Sequence, residues 1–205
     1  MKRSFFNRIF LLLASFIAVG FLYPAFAAAH LVTTGMGPVY DGIGHLLLTP
    51  EDIVPAVAVA LYAGLRGTAA GRYTLFVFPA AWFLGGMFGL RADLVPMFPM
   101  ASLSFIILGI LIAADLHLPS QAFSLVALVI GLVHGFFNGV ALKDGPAGLG
   151  LLGIMTVLFV LVALVAAFVV SLKPPWTRIA VRVLGSWVAA IGILMLGWFM
   201  RSGMV

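Results

Sequence analysis

Asp41-Gly42-Ile43-Gly44-His45-Leu46-Leu47-Leu48-Thr49-Pro50-Glu51-Asp52-Ile53-Val54-Pro55 is the stretch on which the reading of this chain turns. It lies in an apolar run from Val39 to Leu65, long enough to span a bilayer, which takes about 20 apolar residues. Three of the six acidic residues of the whole chain and one of its four histidines nevertheless fall inside it. Charged side chains at bilayer depth are costly and are retained for function. Asp41 and His45 are four apart, so a helix places them on one face. Pro50 and Pro55 interrupt the backbone hydrogen-bond ladder. Thr49-Pro50-Glu51-Asp52 reads as a helix start, with Thr49 as cap, Pro50 at the first helical position and acids in the first turn. The stretch therefore predicts two half-helices meeting near residue 49. The positive end of the second helix's dipole would lie close to Glu51 and Asp52. Broken helices at membrane depth are tolerated where they are buried or line a polar cavity, and they recur at ion sites in transporters.

The rest of the chain supplies the setting. Of 205 residues, 64% are hydrophobic and 8% charged. A soluble domain carries about 45–50% apolar and about 25% charged residues. That composition excludes an ordinary soluble domain, a disordered chain and a nucleic-acid binder, and makes the lipid bilayer the solvent. The net charge of +5 owes three of its eleven basic residues to Lys2, Arg3 and Arg8. There is no cysteine, which removes disulfides, thiolate metal sites and cysteine nucleophiles.

Lys2, Arg3 and Arg8, the apolar run Ile9 to Phe21 and the small residues Ala25 to Ala29 follow the layout of a secretory signal peptide. Cleavage is expected after Ala27 or Ala29. Residues 1–29 are thus read as a signal peptide and residues 30–205 as one transmembrane domain. The predicted fold class is all-α: a polytopic membrane helix bundle of about six transmembrane helices, the first broken near Thr49-Pro50. The spans are Val39 to Leu65, Tyr73 to Leu90, Leu94 to Ala114, Gln121 to Leu142, Ala147 to Leu172 and Thr177 to Met200. Short linkers between them imply antiparallel neighbours. A periplasmic start puts Arg66, Arg72, Lys173, Arg178 and Arg182 on the cytoplasmic side and Arg91, Lys143 and Arg201 opposite. This agrees with the positive-inside rule and with a bacterial inner-membrane location. Gly85, Gly86, Gly89, Gly131 and Gly135 are small residues at spacings that let helices approach closely in lipid.

The fourth span carries a second polar pair, His134 and Asn138, again on one face. A rise of about 1.5 Å per residue puts His134 roughly 12 Å and His45 roughly 9–10 Å below the same side of the membrane. Two imidazoles, the carboxylates of Asp41, Glu51 and Asp52 and the Asn138 amide make an N/O donor set for a borderline divalent metal such as nickel, cobalt or zinc. Without thiolates, copper would have to lean on Met36, Met87, Met97 or Met100. The competing reading is that His45 and His134 make helix-bridging hydrogen bonds. His117, beside Asp115, reads as a solvated loop residue.

These motifs resemble those of the HupE/UreJ family. The family's first-span motif, approximately H-P-x-x-G-x-D-H or H-I-L-x-G-x-D-H, is matched by His45-Leu46-Leu47-Leu48-Thr49-Pro50-Glu51-Asp52. Glu51 stands where the family has Asp, and Asp52 where it has a second His. The family's H-G-x-x-H-G appears as His134-Gly135-Phe136-Phe137-Asn138-Gly139, with Asn138 replacing a His. Leu61-Tyr62-Ala63-Gly64-Leu65, Gly71-Arg72 and Gly85-Gly86 also look like the family's stretch after the first motif. The resemblance implies a nickel or cobalt permease associated with hydrogenase or urease systems, and no enzyme. The harder carboxylate and amide donors imply an altered metal preference. Two other readings stand beside it. One is a non-transporting accessory subunit with a membrane-protein partner, or a homo-oligomer. The other is an intramembrane hydrolase, for which three metal ligands are available but no general-base pattern.

Overall fold

Thr49 is where the chain turns. In the computed structural model, which describes residues 33–93 and 99–202, Thr49 has φ −103° and ψ 97°, an extended conformation between two helices. The residue before a proline is pushed out of the helical region by the pyrrolidine ring. The helices on either side, α1 (Pro38–Leu48) and α2 (Pro50–Arg66), are bent by 79°. Pro50 opens α2 at a position whose N–H would have no helical partner. The Thr49 hydroxyl does not cap α2 as the sequence predicts. It donates instead to the carbonyl of His45 at 2.7 Å and satisfies an end of α1.

Five further helices follow among the described residues: α3 (Thr68–Gly89), α4 (Met100–Ala113), α5 (Ser120–Leu142), α6 (Ala147–Ser171) and α7 (Pro175–Ser202). Gly67, at φ +98°, makes the turn between α2 and α3, a left-handed conformation that costs glycine little. No strand occurs among the described residues. The described residues form an all-helical bundle, as expected. Six spans are predicted; among the described residues three helices, α5, α6 and α7, are long and apolar enough to cross a membrane, or four if the bent α1–α2 pair counts as one span. Arg72, Pro79 and several glycines dilute the apolar character of the 22-residue α3. Helix α4 has 14 residues, beginning after Pro99. The expected signal peptide lies outside the described residues.

Helix packing rests on small residues. The longest seam runs between α3 and α5. A methyl group at Gly135 would collide with the carbonyl of Trp82, one at Gly139 with that of Gly86, one at Gly85 with that of Leu132 and one at Gly89 with that of Phe136. The two backbones therefore touch directly, which maximises dispersion contacts where lipid provides no hydrophobic drive. Gly42 of α1 and Gly153 of α6 make a similar contact between those helices, with Gly150 and Val39 opposite them. Helix α7 packs chiefly on α4 and turns Trp187, Leu194 and Trp198 outward.

The loops sort by charge. Lys143 bonds Asp93 at 2.7 Å, joining the α3 and α5 ends of one face of the bundle. Asp115, after α4, bonds both Arg66 at the end of α2 and Arg178 at the start of α7, at the opposite face. Successive helices from α2 to α7 thus alternate in direction.

Candidate metal-binding junction

Asp52 is the third residue of α2, in the first turn after the break. Its side chain is turned inward and buried. One carboxylate oxygen meets Nδ1 of His134 at 2.9 Å, and the other accepts from Nδ2 of Asn138 at 2.9 Å. His134 and Asn138 lie one turn apart on α5, so both reach the same carboxylate, and the Asn138 amide also donates to the His134 carbonyl at 3.0 Å. The dipole of α2 favours negative charge at this position. Nε2 of His134 meets the Ser104 hydroxyl of α4 at 2.9 Å, and that hydroxyl lies 3.0 Å from the Met100 carbonyl. Trp82 of α3 stacks on the imidazole with centroids 5.3 Å apart and planes at 29°. The Gly135 contact with Trp82 brings α3 close enough for that stack.

His45, near the end of α1, is buried and within electrostatic range of Asp52, though no hydrogen bond joins them. Four of the six predicted site residues, His45, Asp52, His134 and Asn138, are therefore buried around the break. The other two are placed elsewhere. Glu51 is exposed, because adjacent helical residues point about 100° apart and α2 turns Asp52 inward. Asp41 accepts from the backbone N–H and hydroxyl of Thr34 at 2.6 and 2.7 Å, tying down the segment before α1. Among the described residues no group of three or more His, Asp or Glu is gathered as a ready metal cage. Ser104 and Trp82 were not singled out in the sequence. The signal for Ser104 was its position, with Ser102, as a hydroxyl in an otherwise apolar helix. That for Trp82 was a bulky ring beside a run of glycines.

The donors suit a cation. Asn138 Oδ1 is buried without a hydrogen-bond partner. Such an orphan costs about 1–3 kcal/mol, which a bound cation would relieve. Imidazole, carboxylate and amide oxygen together form a borderline-to-hard set. His134 has both ring nitrogens engaged, so it would offer Nε2 to a metal only by leaving Ser104, while Asp52 keeps Nδ1 oriented.

The ends of the bundle differ in character. Lys143 holds the exposed Asp93 carboxyl below the usual carboxylate range by its hydrogen bond and its charge. At the other end, partial burial works against the Asp115 carboxylate, but the hydrogen bonds and charges of Arg178 and Arg66 outweigh it and hold the group low. His117 is exposed there, as expected.

A family profile described as "HupE / UreJ protein" matches residues 17–195. The chain belongs to the HupE/UreJ family. Among curated proteins it resembles Protein HupE of Rhizobium leguminosarum bv. viciae, with 27% identity over 124 residues, 58% of this chain. The match spans 62% of that relative's length, less than two thirds. No solved structure matches the chain. Family membership and the apolar helices together make this HupE/UreJ chain a membrane protein.

Proposed function

We propose that this HupE/UreJ chain is an inner-membrane permease for a divalent transition metal, with nickel or cobalt as the favoured cargo. The observation that carries the reading is the convergence of Asp52 at the break between α1 and α2 with His134 and Asn138 of α5. It joins the two sequence motifs on which the family resemblance rests. His134 lies eight residues before the end of α5, roughly 12 Å below the face that carries Asp93 and Lys143. The positive-inside rule makes that face periplasmic, with a cleaved signal peptide leaving the mature N-terminus on the same side. A metal ion would enter there as substrate, exchange Ser104 for itself at His134 Nε2, and draw on Asp52, Asn138 Oδ1 and His45. Movement about Thr49 would carry the ion past the break.

A non-transporting accessory role is the second reading, favoured by the absence of a three-residue cage among the described residues. Uptake of radioactive nickel or cobalt into cells expressing the chain decides between them. His134→Ala and His45→Ala should each lower uptake about tenfold or more, with equal amounts of protein in the membrane. Uptake unchanged in both variants would reject the site, and none above background in the wild type would leave the accessory reading.

A further inference from the structure

A cavity of about 270 Å³ opens at the opposite face of the bundle, between the end of α2, the α6–α7 linker and the first turns of α7. We propose that it is a binding site for a phosphate group, and that the phosphate is that of an anionic phospholipid. Its polar lining is Lys173, Thr177 and Arg178, and its apolar walls include Leu65, Val169 and Val181.

Charge at this face is unbalanced. Arg178 turns Nε and Nη2 to Asp115, at 2.6 and 2.9 Å, which leaves its Nη1 unengaged. Arg66, beside the cavity rather than in its lining, stands over the Tyr62 ring and bonds Asp115 through Nη2. Its side chain is only 7% exposed, yet Nε and Nη1 have no hydrogen-bond partner. Lys173 is exposed and has no ion-pair partner among the described residues. Among the described residues Asp115 is the one carboxylate paired with Arg66 and Arg178, and Lys173 adds a third positive charge, so two remain uncompensated. Lys173 and Arg178 both line the cavity, and a phosphate oxygen is the acceptor that an ammonium and a free guanidinium edge match best. The positive end of the 28-residue α7 adds to the same potential.

The apolar walls distinguish a lipid from a free ion. A phosphodiester seated on Lys173 and Arg178 would run an acyl chain past Val170, a lining residue that is 38% exposed. Trp176, 67% exposed at the start of α7, is the kind of ring that sits at headgroup level. Basic pockets between helices at the cytoplasmic interface bind anionic headgroups on the same principle.

Native mass spectrometry of the full chain would test this, with phosphatidylglycerol or phosphatidylcholine added to delipidated protein and inorganic phosphate as competitor. One phosphatidylglycerol per chain should be retained in preference to phosphatidylcholine. Lys173→Glu should weaken that retention about fivefold or more. Lys173 is exposed, so the variant should fold, and an unchanged melting temperature without lipid would verify it. Arg91→Glu, at the other face, should bind as the wild type does. Protection by inorganic phosphate without lipid preference would keep the anion site and assign it to a free phosphate. Equal retention of both lipids with no effect of phosphate, or an unaltered Lys173→Glu variant, would overturn the proposal.

Discussion

Two polar clusters hold this bundle, one buried inside it and one at an end, and they are built on different partners. Asp115 is bonded by two guanidiniums, which stay charged at any working pH. Asp52 is bonded by an imidazole and an amide, neither of which carries a permanent charge. The first arrangement is a fixed clamp. On the proposed function, the second would exchange its partners for a cation, which the unpaired Asn138 oxygen would accept.

The contrast can be broken most severely at the seam beneath the second cluster. Gly135→Val would drive a branched side chain into the Trp82 carbonyl. We expect a loss of about 3 kcal/mol or more, since the obstacle is backbone and cannot repack. The variant should accumulate poorly in the membrane and melt early in detergent, and the stack of Trp82 on His134 should be lost. Wild-type melting behaviour would show that the seam is loose.

Next in size is the clamp itself. Asp115→Ala leaves the buried Arg66 without its acceptor, for a cost of about 3 kcal/mol, less where the half-exposed Arg178 regains water. The pH dependence has a definite sign. The folded carboxyl is held below its ordinary value of 3.8, so the clamp's stabilisation is fully present above that pH and is lost as pH falls through the lower, folded value. Melting curves in detergent should show this acid limb in the wild type and a weaker one in Asp115→Ala.

Asp52→Asn sharpens the comparison from the other side. It preserves size and the contact with His134, so stability should change by under about 1 kcal/mol. Metal affinity measured by titration should nevertheless fall about tenfold to a hundredfold. Glu51→Gln should have the smallest effect, leaving both melting and metal titration at wild-type values, because Glu51 faces outward. A Glu51 effect as large as that of Asp52 would place the site on the wrong side of α2.

The break at Thr49 was legible because it is local. Proline's ring acts on the residue before it and on the hydrogen bond four residues back, and neither effect needs a tertiary neighbour. The glycines of α3 and α5 were legible as contact residues for a similar reason, since their lack of a side chain is intrinsic. The polar pairs Asp41/His45 and His134/Asn138 could be placed on shared faces from helical period alone. That Asp41 would turn to Thr34 depends on the path of the chain before α1, which no periodicity encodes.

By itself, then, the sequence determined an all-helical membrane chain with a helix break at Thr49-Pro50, close glycine-lined seams and two polar helix faces. These follow from composition, from backbone sterics and from the 3.6-residue period. The tertiary structure decided which acid is the partner of His134. Asp52 and Glu51 are chemically alike and adjacent, and only the rotation of α2 against α4, α5 and α6 sends one inward and the other out. It also brought in Ser104 and Trp82, and gathered Arg66, Asp115 and Arg178 from three separated stretches. Such contacts depend on how helices cross, and crossing is set by packing between elements rather than within them.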